Sequence, residues 1–192
     1  MHLIALIFGI VLLPKALSLE CQCSQSSGCT NSTIECPSGQ RCISERHVSY
    51  SGASKVSDVN MKGCALPQRC VDRSMNFGLV QTWISSSCCT TKLCNTQNAP
   101  EPVESASNGK KCFSCDGQTC TSTLACKGNQ DYCYSASVSV DGQIVPVRGC
   151  VPLQMCQGQS NCCQGDLCNS ASSTSAGLLL LMAPLLSLGM LS

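Results

Sequence analysis

The residues with the widest chemical range in this chain are its cysteines, 20 of 192. A thiol can serve as nucleophile, redox partner, metal ligand or half of a disulfide. Cys112-Phe113-Ser114-Cys115 has the spacing of a redox pair or of half a zinc site. Other reactive groups are sparse. Apart from His2, the chain has one histidine, His47, so a Ser-His-Asp hydrolase would need it as the base. It is expected to be an ordinary residue on an exposed finger. No G-x-S-x-G, phosphate-binding glycine loop or acidic calcium loop occurs, and the carboxylates are scattered singly. Zinc sites commonly include histidine, and the second half of the chain has none. An even number of cysteines at this density is the composition of a disulfide scaffold in an oxidising compartment. The expectation is therefore structural disulfides, with no catalytic residue, no cofactor and no metal.

The two ends read as addresses. Residues 1–18, MHLIALIFGIVLLPKALS, hold an apolar run from Leu3 to Leu13. That run suits a signal peptide and is too short to span a bilayer. Ala16 and Ser18 provide the small residues of a cleavage site, leaving Leu19 first in the mature chain. At the other end, small polar residues from Asn169 to Gly177 precede an apolar tail from Leu178 to Leu191. Small residues, a spacer and a short apolar tail form a GPI-attachment signal, in which 170–192 would be removed. Asn169 is the first choice of attachment residue and Ser170 the second. The formal net charge of +1 gives no basic field for nucleic acid.

The elements that must position the cysteines come in two copies. The first ten are Cys21, Cys23, Cys29, Cys36, Cys42, Cys64, Cys70, Cys88, Cys89 and Cys94. The second ten are Cys112, Cys115, Cys120, Cys126, Cys133, Cys150, Cys156, Cys162, Cys163 and Cys168. Each set ends in C-C-x4-C-N, at Cys88 to Asn95 and at Cys162 to Asn169. Lys62-Gly63-Cys64 likewise matches Arg148-Gly149-Cys150. This is an internal duplication. It predicts one domain over 19–95 and another over 112–169, joined by an exposed linker over 96–111 that contains Pro100 and Pro102. The first domain carries seven basic and five acidic side chains, the second two and four. The patterning is β. Tyr132 to Val140 alternates, Asp141-Gly142 turns and Gln143 to Arg148 returns, a strong hairpin signal. Arg41 to Tyr50 and Lys55 to Cys64 form a longer hairpin around Ser51 to Ser54. Leu79 to Ile84 is another strand, and no helix is expected in the mature chain.

Two ten-cysteine units that each end in C-C-x4-C-N resemble tandem domains of the lymphocyte antigen 6/uPAR family. The resemblance implies an all-β, disulfide-rich protein of two three-finger (snake-toxin-like) domains. Ten cysteines per unit allow roughly nine hundred pairings, and spacing alone selects none of them. The family pattern implies Cys21–Cys42, Cys23–Cys29, Cys36–Cys64, Cys70–Cys88 and Cys89–Cys94. In the second unit it implies Cys112–Cys133, Cys115–Cys120, Cys126–Cys150, Cys156–Cys162 and Cys163–Cys168. It also implies that Asn95 and Asn169 bond main chain near each domain's first strand. Two departures stand out. One residue rather than two separates Cys21 from Cys23, which predicts a bulged first strand. Cys156 to Cys162 encloses only QGQSN, whereas Cys70 to Cys88 encloses 17 residues. Five residues cannot supply two strands and a turn, so the second domain is expected to have a truncated third finger.

The disulfides have a physical purpose. A domain of roughly 60–75 residues gains only about 3–5 kcal/mol from one apolar core, and cross-links constrain its unfolded state. Loops held out by such a knot are free to recognise partners. Met75, Phe77 and Trp83 in the first domain's third finger are candidate ligand contacts, although sheet packing is the simpler role for Trp83. Asn31-Ser32-Thr33 is the single N-x-S/T sequon and predicts a glycan on Asn31. The expected protein is a GPI-anchored receptor or co-receptor on the extracellular face of the plasma membrane, also shed or secreted, binding an extracellular protein ligand. The alternative is a secreted two-domain inhibitor of an extracellular enzyme such as a phospholipase, which should lack the apolar tail.

Overall fold

The computed structural model describes residues 18–117 and 119–170. The signal-peptide and GPI-signal expectations fall outside them, except at Ser18, Asn169 and Ser170. Among the described residues no helix is long and apolar enough to cross a membrane. The regular structure is mostly β-strand, with all 20 cysteines in disulfides. The strands are β1 (Leu19–Gln22), β2 (Thr33–Cys36), β3 (Arg41–Ser51), β4 (Ser54–Ala65), β5 (Arg73–Asn76) and β6 (Val80–Cys89). They continue with β7 (Ser107–Ser114), β8 (Ser122–Lys127), β9 (Tyr132–Val140), β10 (Gln143–Val151) and β11 (Cys162–Cys163). Both hairpins stand where alternation and turn residues place them. The third-finger strand runs further than expected, to Cys89, and pairs into a sheet beside β5. Short helical turns do occur, at Gln25–Ser27, Pro67–Arg69 and the four-residue α1 (Leu153–Cys156). They are too short to carry an amphipathic period, so hydrophobic patterning could not reveal them.

The described residues fall into two compact units. Among the described residues the first draws on segments 18–47, 58–72 and 84–102, the second on 48–57, 73–83, 103–117 and 119–170. The tips of the second and third fingers of the first cysteine set thus belong to the second unit. In the first unit β1 pairs with β2, and the remaining lengths of β6, β3 and β4 lie side by side in that order. In the second unit β7 pairs with β8. Its other strands follow the order β11-β9-β10-β5-β6-β3-β4, to which β6, β3 and β4 contribute 80–83, 48–51 and 54–57.

Sulfur makes up much of each core. Buried Cys21, Cys36 and Cys42 cluster in the first unit, with Leu19, Cys64, Cys89 and Cys94 packed around them. Buried Cys112, Cys126, Cys133 and Cys150 cluster in the second, with Leu124, Cys163 and Cys168. The bonds are Cys21–Cys42, Cys23–Cys29, Cys36–Cys64, Cys70–Cys88 and Cys89–Cys94 in the first unit. In the second they are Cys112–Cys133, Cys115–Cys120, Cys126–Cys150, Cys156–Cys162 and Cys163–Cys168. No strand lies between Cys156 and Cys162.

The bulge expected at Cys21-Gln22-Cys23 is absent. β1 and β2 pair in unbroken register from Leu19↔Cys36 to Gln22↔Thr33. Cys23 lies just past the strand, so its early arrival is absorbed by the loop to Cys29. The register shift occurs instead in β7, between Ser107 and Lys111. The 96–111 segment is not uniformly exposed either. Ala99 is 3% exposed. The Ser44 hydroxyl donates to the Gln97 carbonyl at 2.8 Å, and the Ser85 hydroxyl donates to that of Pro100. Residues from Ser107 onward are already strand. Small side chains beside prolines read as linker, yet their carbonyls accept from hydroxyls that project from β3 and β6.

An asparagine closes each knot. The Asn95 amide oxygen accepts from the Gln22 N–H at 2.8 Å, and its nitrogen donates to the Gln22 and Ile43 carbonyls at 2.9 and 3.0 Å. Asn169 repeats this on the Phe113 N–H (2.9 Å) and the Phe113 and Tyr134 carbonyls (2.9 and 2.8 Å). Both side chains are buried, at 3% and 4% exposure. In both loops a left-handed leucine precedes the last cysteine, Leu93 at φ 53° and Leu167 at φ 57°. Its N–H donates to Glu20 in one case and Lys111 in the other.

A glycine sets the close approach of β5 to β10. A Cβ built on Gly149 would overlap the Asn76 carbonyl oxygen and lie 2.8 Å from the Phe77 Cα. Around that point Cys150 pairs with Asn76, and the Gln130 amide donates to the Ser74 hydroxyl at 2.9 Å. Two predictions follow from these features. Asn95→Ala strands a main-chain N–H and two carbonyls in the interior and should cost about 2–4 kcal/mol, read as a lowered denaturation midpoint without reductant. Gly149→Ala should cost about 1–3 kcal/mol by overpacking against main chain. Gly63→Ala should be milder, because the nearest atom there is the Cys23 sulfur at 3.8 Å.

Candidate functional site

The first unit holds a cavity of about 340 Å³ between its first and second fingers. Ile34, Ile43 and Met61 give it apolar walls, and Glu45 and Arg69 give it charge. Glu45 lies on β3, which runs buried from Cys42 to Glu45. Its side chain is 2% exposed and is held by a guanidinium and an imidazole. The Arg69 guanidinium donates to it at 3.0 Å, and the His47 Nε2 lies 3.0 Å from the same oxygen. A buried carboxylate of this kind is tolerated only with such partners. His47 is therefore not the bland exposed residue expected from the sequence. It is two residues from Glu45 on the same strand face, with a side chain 27% exposed. No hydroxyl nucleophile stands among its hydrogen-bond partners. Just outside, Arg46 grips Asp58 through two nitrogens at 2.9 and 2.7 Å.

The second unit offers a different surface. A cleft of about 250 Å³ is walled by Phe77, Leu79, Val80, Val145, Pro146 and Val147. No charged side chain lines it. Leu79 and Val80 are 54% and 41% exposed. Exposed apolar side chains gathered around a concavity are a recognition surface, whereas scattered ones are not. Phe77 is fixed by an edge-on approach to Tyr134, with ring centroids 5.9 Å apart. Gly78, at φ 85°, donates its N–H to the Asn76 Oδ1 at 2.9 Å and so turns the finger tip.

The candidate ligand contacts separate accordingly. Phe77 lines the cleft. Trp83 is buried at 8% exposure and packs in the sheet. Met75 is half-buried on β5 and does not line the cleft. Sequence reasoning missed Leu79, Val80 and Val145 to Val147, whose signal is the uncharged run on either side of a turn. It also missed Glu45, whose signal is a charge at an inward position of an alternating strand. Asn31 is exposed in the loop before β2, and Ser170 is exposed just after the buried Asn169.

Metal chemistry gains nothing from the sulfur clusters. Cys21, Cys36 and Cys64 lie close together, as do Cys112, Cys126 and Cys150, but every one of these sulfurs is bonded to another. None is a thiolate able to bind a metal. The resolved titration shifts lie away from both cavities. The Lys92 ammonium, 2.8 Å away, is the main reason that the Glu20 carboxyl is held below its usual range, and Glu20 raises Lys92 in turn. The pair therefore contributes at neutral pH. Its contribution is lost as pH falls through the lowered Glu20 value or rises through the raised Lys92 value.

Comparison with known proteins identifies the first cysteine set. The model of the u-PAR/Ly-6 domain matches residues 18–97. A protein named urokinase plasminogen activator surface receptor from Rattus norvegicus is 25% identical over 85% of this chain and 58% of its own length. The protein of the same name from Mus musculus is 26% identical over 92% of this chain and 64% of its own. The chain thus spans less than two thirds of these relatives. With its disulfide-knotted fingers and mostly β architecture, the chain carries a u-PAR/Ly-6 domain of three-finger fold over residues 18–97 and is homologous over most of its length to the urokinase plasminogen activator surface receptors.

Proposed function

We propose that the chain is a receptor-like binding protein on the outer face of the plasma membrane, GPI-anchored after Asn169 or Ser170, that takes an extracellular protein ligand. The observation that carries this reading is the uncharged cleft at Phe77, Leu79, Val80 and Val145 to Val147, in a chain related to cell-surface receptors. The cleft is open and built from main chain held by disulfides, so it can present apolar anchors with little ordering cost. It offers no nucleophile, base or metal ligand, which suits binding rather than catalysis. A protein ligand fits better than a small molecule, because the concavity is shallow and rimmed by finger tips. Asn31, exposed on the first finger's loop, would carry a glycan.

Two measurements test this. Intact animal cells expressing the full chain, tagged after Leu19, are treated with phosphatidylinositol-specific phospholipase C alongside a known GPI-anchored control. Release into the medium is the expected outcome. Retention at the surface while the control is released would overturn the anchor, and protein already in the medium before treatment would favour a secreted inhibitor. For the glycan, Asn31→Gln should remove the mass that a peptide N-glycosidase removes from the native protein. An unchanged mobility would refute modification at that residue.

A further inference from the structure

The two unlike third fingers leave the two cysteine sets with unlike sheet edges. In the order of the strands, β3 is flanked by β6, a ten-residue strand that leads into Cys88 and Cys89. β9 holds the place after Cys126 that β3 holds after Cys36. The strand that flanks it, β11, consists of Cys162 and Cys163 alone. β11 reaches only Cys133 and Tyr134, and the Asn161 carbonyl then accepts from the Ser135 N–H at 2.9 Å. Beyond that point Ser137, Val138, Ser139 and Val140 are all exposed. Five residues between Cys156 and Cys162 provide nothing to cover them.

The register shows what this edge presents. Val140 pairs with Gln143 across Asp141-Gly142, both at positive φ, 50° and 79°. In such a hairpin the pair flanking the turn is hydrogen-bonded. Even-numbered residues of β9 therefore bond to β10 and odd-numbered ones face away, as Ser135 does toward Asn161. Ser137 and Ser139 consequently direct their N–H and C=O groups outward. The opposite edge of the hairpin is blunted, because Pro146 sits across from Ser137 and has no N–H to offer. Residues 135–140 carry no proline, no charge and no register shift. Edges are normally guarded by such devices.

We propose that this edge pairs with the same edge of a second copy of the chain, antiparallel, about a twofold axis at Val138. In that register Ser137 of each copy exchanges main-chain bonds with Ser139 of the other, which satisfies every outward group of Ser137 and Ser139. Val138 meets Val138 and Ala136 meets Val140, all uncharged, and the Asp141-Gly142 turn ends the pairing short of Ser135, whose N–H already bonds to Asn161. The occupant is a second copy because Ser-Val-Ser is symmetric about its centre, and an isologous interface needs one patch to be complementary to itself. A charged foreign strand would find main-chain groups here but no opposite charge among residues 135–140 to select it.

The test is Val138→Cys in the full chain expressed in animal cells, with free thiols blocked before lysis and the product run without reductant. Opposed residues of a non-hydrogen-bonded antiparallel pair lie about 4.5 Å apart at Cα, within reach of a disulfide. The expected result is a species of twice the mass that reductant removes. Ile144→Cys, on the neighbouring strand at 78% exposure, should stay monomeric. A monomeric Val138→Cys at the cell surface, an equal yield of dimer from Ile144→Cys, or capture of a different protein would each overturn the proposal. If Val138→Cys does not reach the surface, sedimentation of the native protein purified from the cells decides. The native protein should show concentration-dependent dimers, and Ser137→Pro should weaken them about tenfold, equivalent to one or two lost main-chain bonds. That substitution removes an outward N–H and no bond to β10. A native protein that stays monomeric, or a Ser137→Pro protein that dimerises equally well, would refute the pairing.

Discussion

Everything in this protein depends on cystine serving as the core. Cys21, Cys42, Cys112, Cys126 and Cys150 are almost without exposure, yet few large apolar side chains surround them. A sulfur bridge is compact and leaves little room for aliphatic layers. The strands must therefore leave the knot close together and travel outward with thin packing beneath them. That geometry explains why so many side chains beyond the knot are half-buried, and why recognition surfaces can form on the fingers without disturbing the fold. It also explains the two asparagines. Gln22 and Phe113 pair with Thr33 and Thr123 on one side, and on the other a side-chain amide supplies the main-chain bonds that no strand provides.

Much of this architecture could be read from the residues. Asp141-Gly142 between alternating runs fixes a hairpin because only a positive-φ pair matches the strand twist there. The repeat of C-C-x4-C-N announces two copies of one knot, and QGQSN announces a missing finger. Other features could not be read, for definite reasons. Disulfide pairing has no local signature, so it came with the family resemblance and not from spacing. Gly149 looks like any glycine until the Asn76 carbonyl is seen against it. The grouping of 48–57 and 73–83 with the second unit depends on tertiary packing, which a count of cysteines does not encode. The expected bulge failed because Cys23 lies past the strand, where one residue more or less leaves the ladder unchanged.

Glu45 and the Phe77 cleft show two opposite ways of furnishing a concave surface. In one, a carboxylate is sunk among apolar walls and must be matched by Arg69 and His47. Such a cluster is directional and costly to disturb, because removing one partner leaves charge uncompensated. In the other, Leu79, Val80, Val145, Pro146 and Val147 offer area with no directional demand. A fold with so little apolar interior can still keep large side chains at its surface, because disulfides rather than those side chains hold the strands.

The position of Asn169 has a mechanical consequence. The chain leaves the second knot one residue after the amide that grips Phe113 and Tyr134, and two residues after Cys168. Tension applied to the chain beyond Ser170 would be borne first by that grip and then by the Cys163–Cys168 ring. Both are anchored on strands at the centre of the knot, so the load would be carried into covalent cross-links without peeling a finger from its neighbour. The hairpin β9–β10 and the cleft beside it would keep their shape while the chain end is pulled.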